Sequence, residues 1–113
     1  MNWIELTEAS QINLIKEKSK EFPQLIFKHS TRCSISSVAK NRLERGTQPS
    51  GIDFYFLDLI KHRPISNMVS EAFDVFHESP QVLLIRNGEC VYDDSHSGIS
   101  MDDITEQAAI SNN

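Results

Sequence analysis

Leu25-Ile26-Phe27-Lys28-His29-Ser30-Thr31-Arg32-Cys33-Ser34-Ile35-Ser36 is the stretch whose reading decides the fold. Its first three residues are a short apolar run of the kind buried in a central strand, and Pro23 ahead of them stops any preceding helix. The strand reads as ending near His29. After Ser30 and Thr31 the apolar spacing turns helical at Ile35, Val38, Ala39, Arg42 and Leu43, with Gly46 offering a stop. Cys33 therefore falls in the first turn of a helix that directly follows a buried-type strand.

The flanks extend this pattern. Upstream, Thr7 reads as the N-cap of an amphipathic helix through Ile12, Ile15 and Phe22, with Glu8 early and Lys16, Lys18 and Lys20 late, as the helix dipole favours. Downstream, Thr47 to Gly51 is a loop and Ile52-Asp53-Phe54-Tyr55-Phe56-Leu57 a β-rich run, so the unit predicts a parallel, right-handed crossover. Pro64 and Ser66 open a further helix with Val69, Ala72, Phe73 and Phe76 on one face, ended by His77-Glu78-Ser79-Pro80. Val82-Leu83-Leu84-Ile85 is a strand. Asn87-Gly88 is a strong type I′ hairpin signal, and Cys90-Val91-Tyr92 returns antiparallel. Ser100 with Asp103 resembles a capping box before Ile104 and Ala108, and Ser111-Asn112-Asn113 reads as a frayed end. The expected order is helix, strand, helix, strand, helix, hairpin, helix: an α/β chain with a central mixed sheet and helices on both faces.

Composition narrows the function classes. With 113 residues the chain suits one domain, 1–113. Its hydrophobic fraction of 39% and charged fraction of 24% are those of an ordinary globular protein, without a membrane span. A formal net charge of −5 argues against nucleic acid as a partner, because phosphate tracking calls for clustered Lys and Arg. Met1 to Ser10 has no signal-peptide pattern, which gives the expectation of a cytoplasmic protein. Two cysteines, Cys33 and Cys90, are too few for a secreted disulfide scaffold or a thiolate metal site. His29, His62, His77 and His96 lack ligand-like pairing, so no metal is expected.

Chemistry concentrates on Cys33. A thiol at a helix start meets unpaired N–H groups and the positive end of the dipole, which stabilise a thiolate, and Arg32 adds positive charge. Lys28 would add more, but strand alternation is expected to turn it away, so Arg32 carries the greater weight. An inert packed cysteine is the competing reading, and it fits Cys90, which follows the hairpin turn. Ser36 stands where a dithiol enzyme has its second cysteine in Cys-x-x-Cys, so Cys33-Ser34-Ile35-Ser36 is monothiol and a mixed disulfide on Cys33 needs an outside thiol for release.

Phe27-Lys28-His29-Ser30-Thr31-Arg32-Cys33-Ser34-Ile35-Ser36, Val75-Phe76-His77-Glu78-Ser79-Pro80-Gln81 and Arg86-Asn87-Gly88 together resemble the monothiol bacilliredoxin family of thioredoxin-like proteins, over nearly the whole chain. The resemblance implies a thioredoxin-like fold, Cys33 as the active thiol, and a cis Ser79-Pro80 bond with Pro80 facing it. It also implies bacillithiol as low-molecular-weight thiol co-substrate, with no bound cofactor, and bacillithiolated proteins as partners. Thr31, Ser79 and Pro80 would then line the substrate groove, and Arg32, Ser34, Ser36 and His77 the thiol's surroundings. Arg32 and Ser34 depart from many thioredoxin-like sites, which carry proline beside the cysteine. The expected activity is thiol–disulfide exchange that removes bacillithiol from proteins. Two other readings are a redox-inactive thioredoxin-like interaction module and a monothiol glutaredoxin-like iron–sulfur carrier. The second is weakened by Ser34-Ile35 in place of a typical Gly-Phe.

Overall fold

The computed structural model describes residues 1–111. The elements are β1 (Trp3–Glu5), α1 (Ser10–Lys18), β2 (Gln24–His29), α2 (Ser34–Arg45), β3 (Asp53–Asp58), α3 (Arg63–Phe73), β4 (Gln81–Arg86), β5 (Glu89–Ser95) and α4 (Met101–Ser111), with a 3-10 turn at His96–Gly98 before α4. The sheet has five strands in the order β1-β3-β2-β4-β5. β3 is parallel to both β1 and β2, whereas β4 is antiparallel to β2 and β5.

Alternation along β2 divides the core into two halves. Leu25 and Phe27 face Ala39 and Leu43 of α2 and Met101, Ile104 and Ala108 of α4. Ile26 faces Ile12 and Ile15 of α1 and Val69 and Phe73 of α3. All six residues of β2 are buried, as the middle strand of a sheet covered on both faces must be. Gly46 closes α2 against α4, where a Cβ would meet Met101 Cβ at 2.9 Å.

The expected elements are present, with six differences, the first being that α1 ends at Lys18, so half-buried Phe22 lies past the helix rather than on its apolar face. The edge strand β1 was not expected; three residues with Ile4 and Glu5 exposed carry too little alternation to register. Thr7 does not cap α1: Ala9 holds the N-cap position without a side-chain bond, and the Gln11 side chain accepts the Thr7 and Glu8 N–H groups at 2.8 and 3.0 Å. On α2, Ser36, Ala39 and Leu43 are buried while Ile35 and Val38 lie outward. Helix α3 stops at Phe73 because Asp74 takes a left-handed conformation (φ 52°), so Phe76 is not on its apolar face and is 94% exposed. Ser111 is the last residue of α4, while Asn112 and Asn113, read as frayed, lie outside the described residues.

Two local predictions hold in detail. Asn87 and Gly88 both have positive φ, 56° and 78°, as a type I′ turn needs. Ser100 Oγ accepts the Asp103 N–H at 3.1 Å, capping α4. The hairpin turn is also docked: buried Ser19, just past α1, accepts the Asn87 N–H at 2.8 Å and Arg86 Nη1 at 2.6 Å on its carbonyl. Its hydroxyl accepts the Gly88 N–H at 2.8 Å and donates to the Lys16 carbonyl at 2.6 Å.

Candidate active site

The thiol sits where β2 gives way to α2. Cys33 is the N-cap residue of α2, with extended backbone (φ −113°, ψ 119°), and its side chain is half-buried. Its N–H donates to the Ser30 carbonyl at 3.2 Å, and its carbonyl accepts the Ser37 N–H at 3.1 Å, the first bond of the helix. The sulfur is thus placed at the end of α2 where N–H groups lack helical partners. Thr31, Arg32, Ser34 and Ile35 around it are exposed.

Ser36, the residue in the second-thiol position, is wholly buried. Its Oγ accepts the Ser30 N–H at 3.1 Å and lies 2.7 Å from His29 Nδ1. His29 ends β2 on the α2 face, 5% exposed, its ring centre 5.7 Å from that of Phe27 and 5.3 Å from that of Phe56. Burial is the main cause of a lowered His29 pKa, with Lys40 adding to it and Asp58, Ser36 and Glu44 opposing.

Alternation does turn Lys28 away, toward α3. Its Nζ donates to the Ser66 carbonyl at 3.1 Å and to Ser70 Oγ at 2.8 Å, and lies 3.3 Å from His77 Nδ1. Burial first, then Arg63, bring its pKa from 10.5 down to about 8. His77 is therefore engaged by Lys28, and by Ser66 Oγ at 3.4 Å, rather than by Cys33. Burial, Lys28 and Arg63, in that order, lower its pKa.

The loop leading into β4 contains the cis bond Ser79-Pro80. Pro80 is buried and its carbonyl accepts the His96 N–H at 3.1 Å. Buried Gln81 braces this loop, its Nε2 donating to the Phe76 carbonyl at 2.9 Å and its Oε1 accepting the Glu78 N–H at 3.3 Å. The second cysteine is placed differently from Cys33. Cys90 lies on β5 against the α1/α3 half of the core, donates to the Tyr92 carbonyl at 3.3 Å, and is pushed by burial, then by Asp93, up to about 11.

His29 and Gln81 were not singled out from the sequence as parts of the site, whereas Lys28 was weighed there and set aside on the strand alternation that the structure shows. Period-two counting from Leu25 and Phe27 puts His29 on the α2 face, which is the signal that could have found it. Nothing local marks Gln81, because its partners are backbone atoms of a loop. Among the described residues, no group of three or more His, Cys, Asp or Glu is placed to hold a metal ion, and no helix is long and apolar enough to cross a membrane.

A capping cysteine between a central strand and its helix, with a cis-proline loop leading into the neighbouring antiparallel strand, is the arrangement of a thioredoxin-type fold. The chain belongs to the monothiol bacilliredoxin BrxC family, which matches residues 4–104. One similar solved structure, described as a candidate oxidoreductase with a thioredoxin fold, is 28% identical with a TM-score of 0.80, over 92% of this chain and 91% of the other. Thioredoxin from Malassezia sympodialis superposes with a TM-score of 0.74 at 11% identity, over 99% of this chain and 92% of that one. For Fasciola hepatica thioredoxin the values are 0.73 and 13%, over 95% and 97%. At such identities these two establish the fold alone. Family and fold make the chain a thioredoxin-like thiol oxidoreductase.

Proposed function

We propose that the protein removes bacillithiol from mixed disulfides with protein cysteines, using Cys33 as its single exchanging thiol in the cytoplasm. The observation that carries this reading is the pairing of a half-exposed thiol at the cap of α2 with a buried hydroxyl, Ser36, in the position of a resolving thiol. In the first step the Cys33 thiolate attacks the bacillithiol sulfur. A Cys33–bacillithiol disulfide forms, the original disulfide breaks, and the protein thiolate leaves and takes up a proton. In the second, a bacillithiol thiolate attacks the adduct at the small thiol's sulfur, which yields oxidised bacillithiol and frees Cys33. No bound cofactor takes part. The exposed residues Thr31 and Arg32 on one side and the Ser79-Pro80 loop on the other would orient the incoming disulfide, and orientation is what such a site supplies.

Incubation with oxidised bacillithiol, followed by intact mass and peptide mapping, tests this directly. One adduct confined to Cys33 is expected, removed by added bacillithiol and transferable from a bacillithiolated protein. An unmodified chain, or modification confined to Cys90, would overturn the assignment and leave a redox-inactive interaction module as the better reading.

A further inference from the structure

We infer that His29 and Ser36 form a positioning pair for the exchanging thiol, with the proton of the Ser36 hydroxyl directed by His29. This rests on the reading of Cys33 as the exchanging thiol and deepens it. Hydrogen-bond counting supplies the first step. The Ser30 N–H can only donate, so Ser36 Oγ is the acceptor of that 3.1 Å contact. The hydroxyl's own proton is then free to be donated to His29 Nδ1 at 2.7 Å, which requires a bare Nδ1 and places the ring proton on Nε2. A neutral ring is what a site 5% exposed and set between the rings of Phe27 and Phe56 favours.

The second step links this pair to the sulfur. Ser30, held at its N–H by Ser36, accepts the Cys33 N–H on its carbonyl at 3.2 Å. Between them Thr31 and Arg32 are exposed and bury little that could fix the turn by packing. The position of Cys33 therefore depends on a relay of polar contacts: the His29 ring, the Ser36 hydroxyl, the Ser30 peptide and the Cys33 N–H. The His29 ring has its hydrogen bond to Ser36 Oγ and none to the Cys33 sulfur. It acts through Ser36, by giving the hydroxyl a defined direction.

The test compares His29→Leu, which removes the acceptor, with His29→Asn, whose side-chain oxygen can take the place of Nδ1. Amide hydrogen exchange is the first readout. His29→Leu should cut protection at the Ser30 and Cys33 amides by about tenfold or more, and His29→Asn should restore most of it. Imidazole nitrogen NMR of the wild-type protein should show the ring proton on Nε2. The second readout is kinetic. Exchange with oxidised bacillithiol needs an aligned sulfur, so kcat/KM should fall about tenfold in His29→Leu and recover in His29→Asn. Alkylation by iodoacetamide, which has little demand for alignment, should change by less than about twofold. Unchanged protection at Ser30 and Cys33 in His29→Leu, or a ring proton on Nδ1, would overturn the pair whatever the activity. An equal fall in alkylation and exchange would also overturn it, by showing an effect on the thiol itself. Failure of the wild type to form an adduct would count against the bacillithiol reading alone, because the amide and NMR results still decide on the pair.

Discussion

At position 36 a single atom, oxygen rather than sulfur, separates a monothiol site from a dithiol one, and the surroundings of that atom are polar. Ser36→Cys would put a thiol one helical turn from Cys33, between the Ser30 N–H and His29 Nδ1. Sulfur is the weaker hydrogen-bond partner, so a loss of about 1 kcal/mol in stability is expected. The chemistry should change more than the stability. When free bacillithiol is scarce, the wild type should accumulate as the Cys33 adduct. In the variant the introduced thiol should attack Cys33 and expel bacillithiol, leaving an intramolecular disulfide. Intact mass separates the two products, and an adduct that persists in the variant would show that residue 36 is not aligned with Cys33. Cys90 offers no alternative resolver of comparable reactivity, since burial holds its thiol in the protonated form up to about pH 11.

Helix α4 is placed by a local signal, and its cap gives a direct measure of what such a signal contributes. Ser100→Ala leaves the Asp103 N–H without its 3.1 Å partner and should cost about 1 kcal/mol by urea denaturation, with Ser100→Asp close to wild type. A loss below about 0.3 kcal/mol would assign the helix start to the packing of Met101 and Ile104 instead. Local signals of this kind made α2, the Asn87-Gly88 turn and α4 readable in the sequence, because each depends on residues within one turn of each other. What escaped reading depends on backbone state or on distant partners. The 69, 72, 73, 76 spacing runs on through Phe76 although Asp74 ends the helix, since apolar periodicity carries no record of a positive φ. Cys33 at a helix start and a cis Ser79-Pro80 bond were both expected from the sequence, and the structure has Cys33 at the cap of α2 and the cis bond before β4. The His29–Ser36 contact was not, because a strand read from its apolar residues and ending near His29 names no partner for the polar side chain at its end. The engagement of His77 by Lys28 spans 49 residues and has no sequence signature.

Taken over the whole molecule, the buried titratable groups predict an uneven dependence of stability on pH. Lys28 ordinarily titrates at 10.5 but at about 8 when folded, so between these values the unfolded chain binds more protons and stability rises with pH. Cys90, raised from 9.0 to about 11, and Tyr55, raised from 10.0 to about 12, act in the opposite sense because the folded chain holds the extra proton. Stability should therefore rise from about pH 8 to 9, level off, and fall above about pH 10. On the acid side, the lowered values of His29 and His77 mean that the unfolded chain takes up protons first as pH drops below 6.5, and stability declines there. Urea midpoints measured across this range should trace the curve, and Lys28→Met should abolish the rise between about pH 8 and 9; a rise that survives in Lys28→Met would remove Lys28 as its source. Time is the other quantity the whole molecule sets. The β4-β5 hairpin can zip from its own turn within microseconds, yet Ser19 reaches Arg86 and Gly88 across 67 and 69 residues. A contact of that separation carries a large loop-closure cost, so it is expected to form late, on the native side of the folding barrier. Ser19→Ala, which removes the hydroxyl bonds to Gly88 and Lys16 and keeps the carbonyl bonds, should then leave the refolding arm of a chevron within about twofold of wild type while speeding unfolding about tenfold. A slowed refolding arm would instead place Ser19 in the nucleus. A faster unfolding arm alone would make Ser19 a latch on the native state's lifetime, one that lets go where the hairpin lifts away from the end of α1.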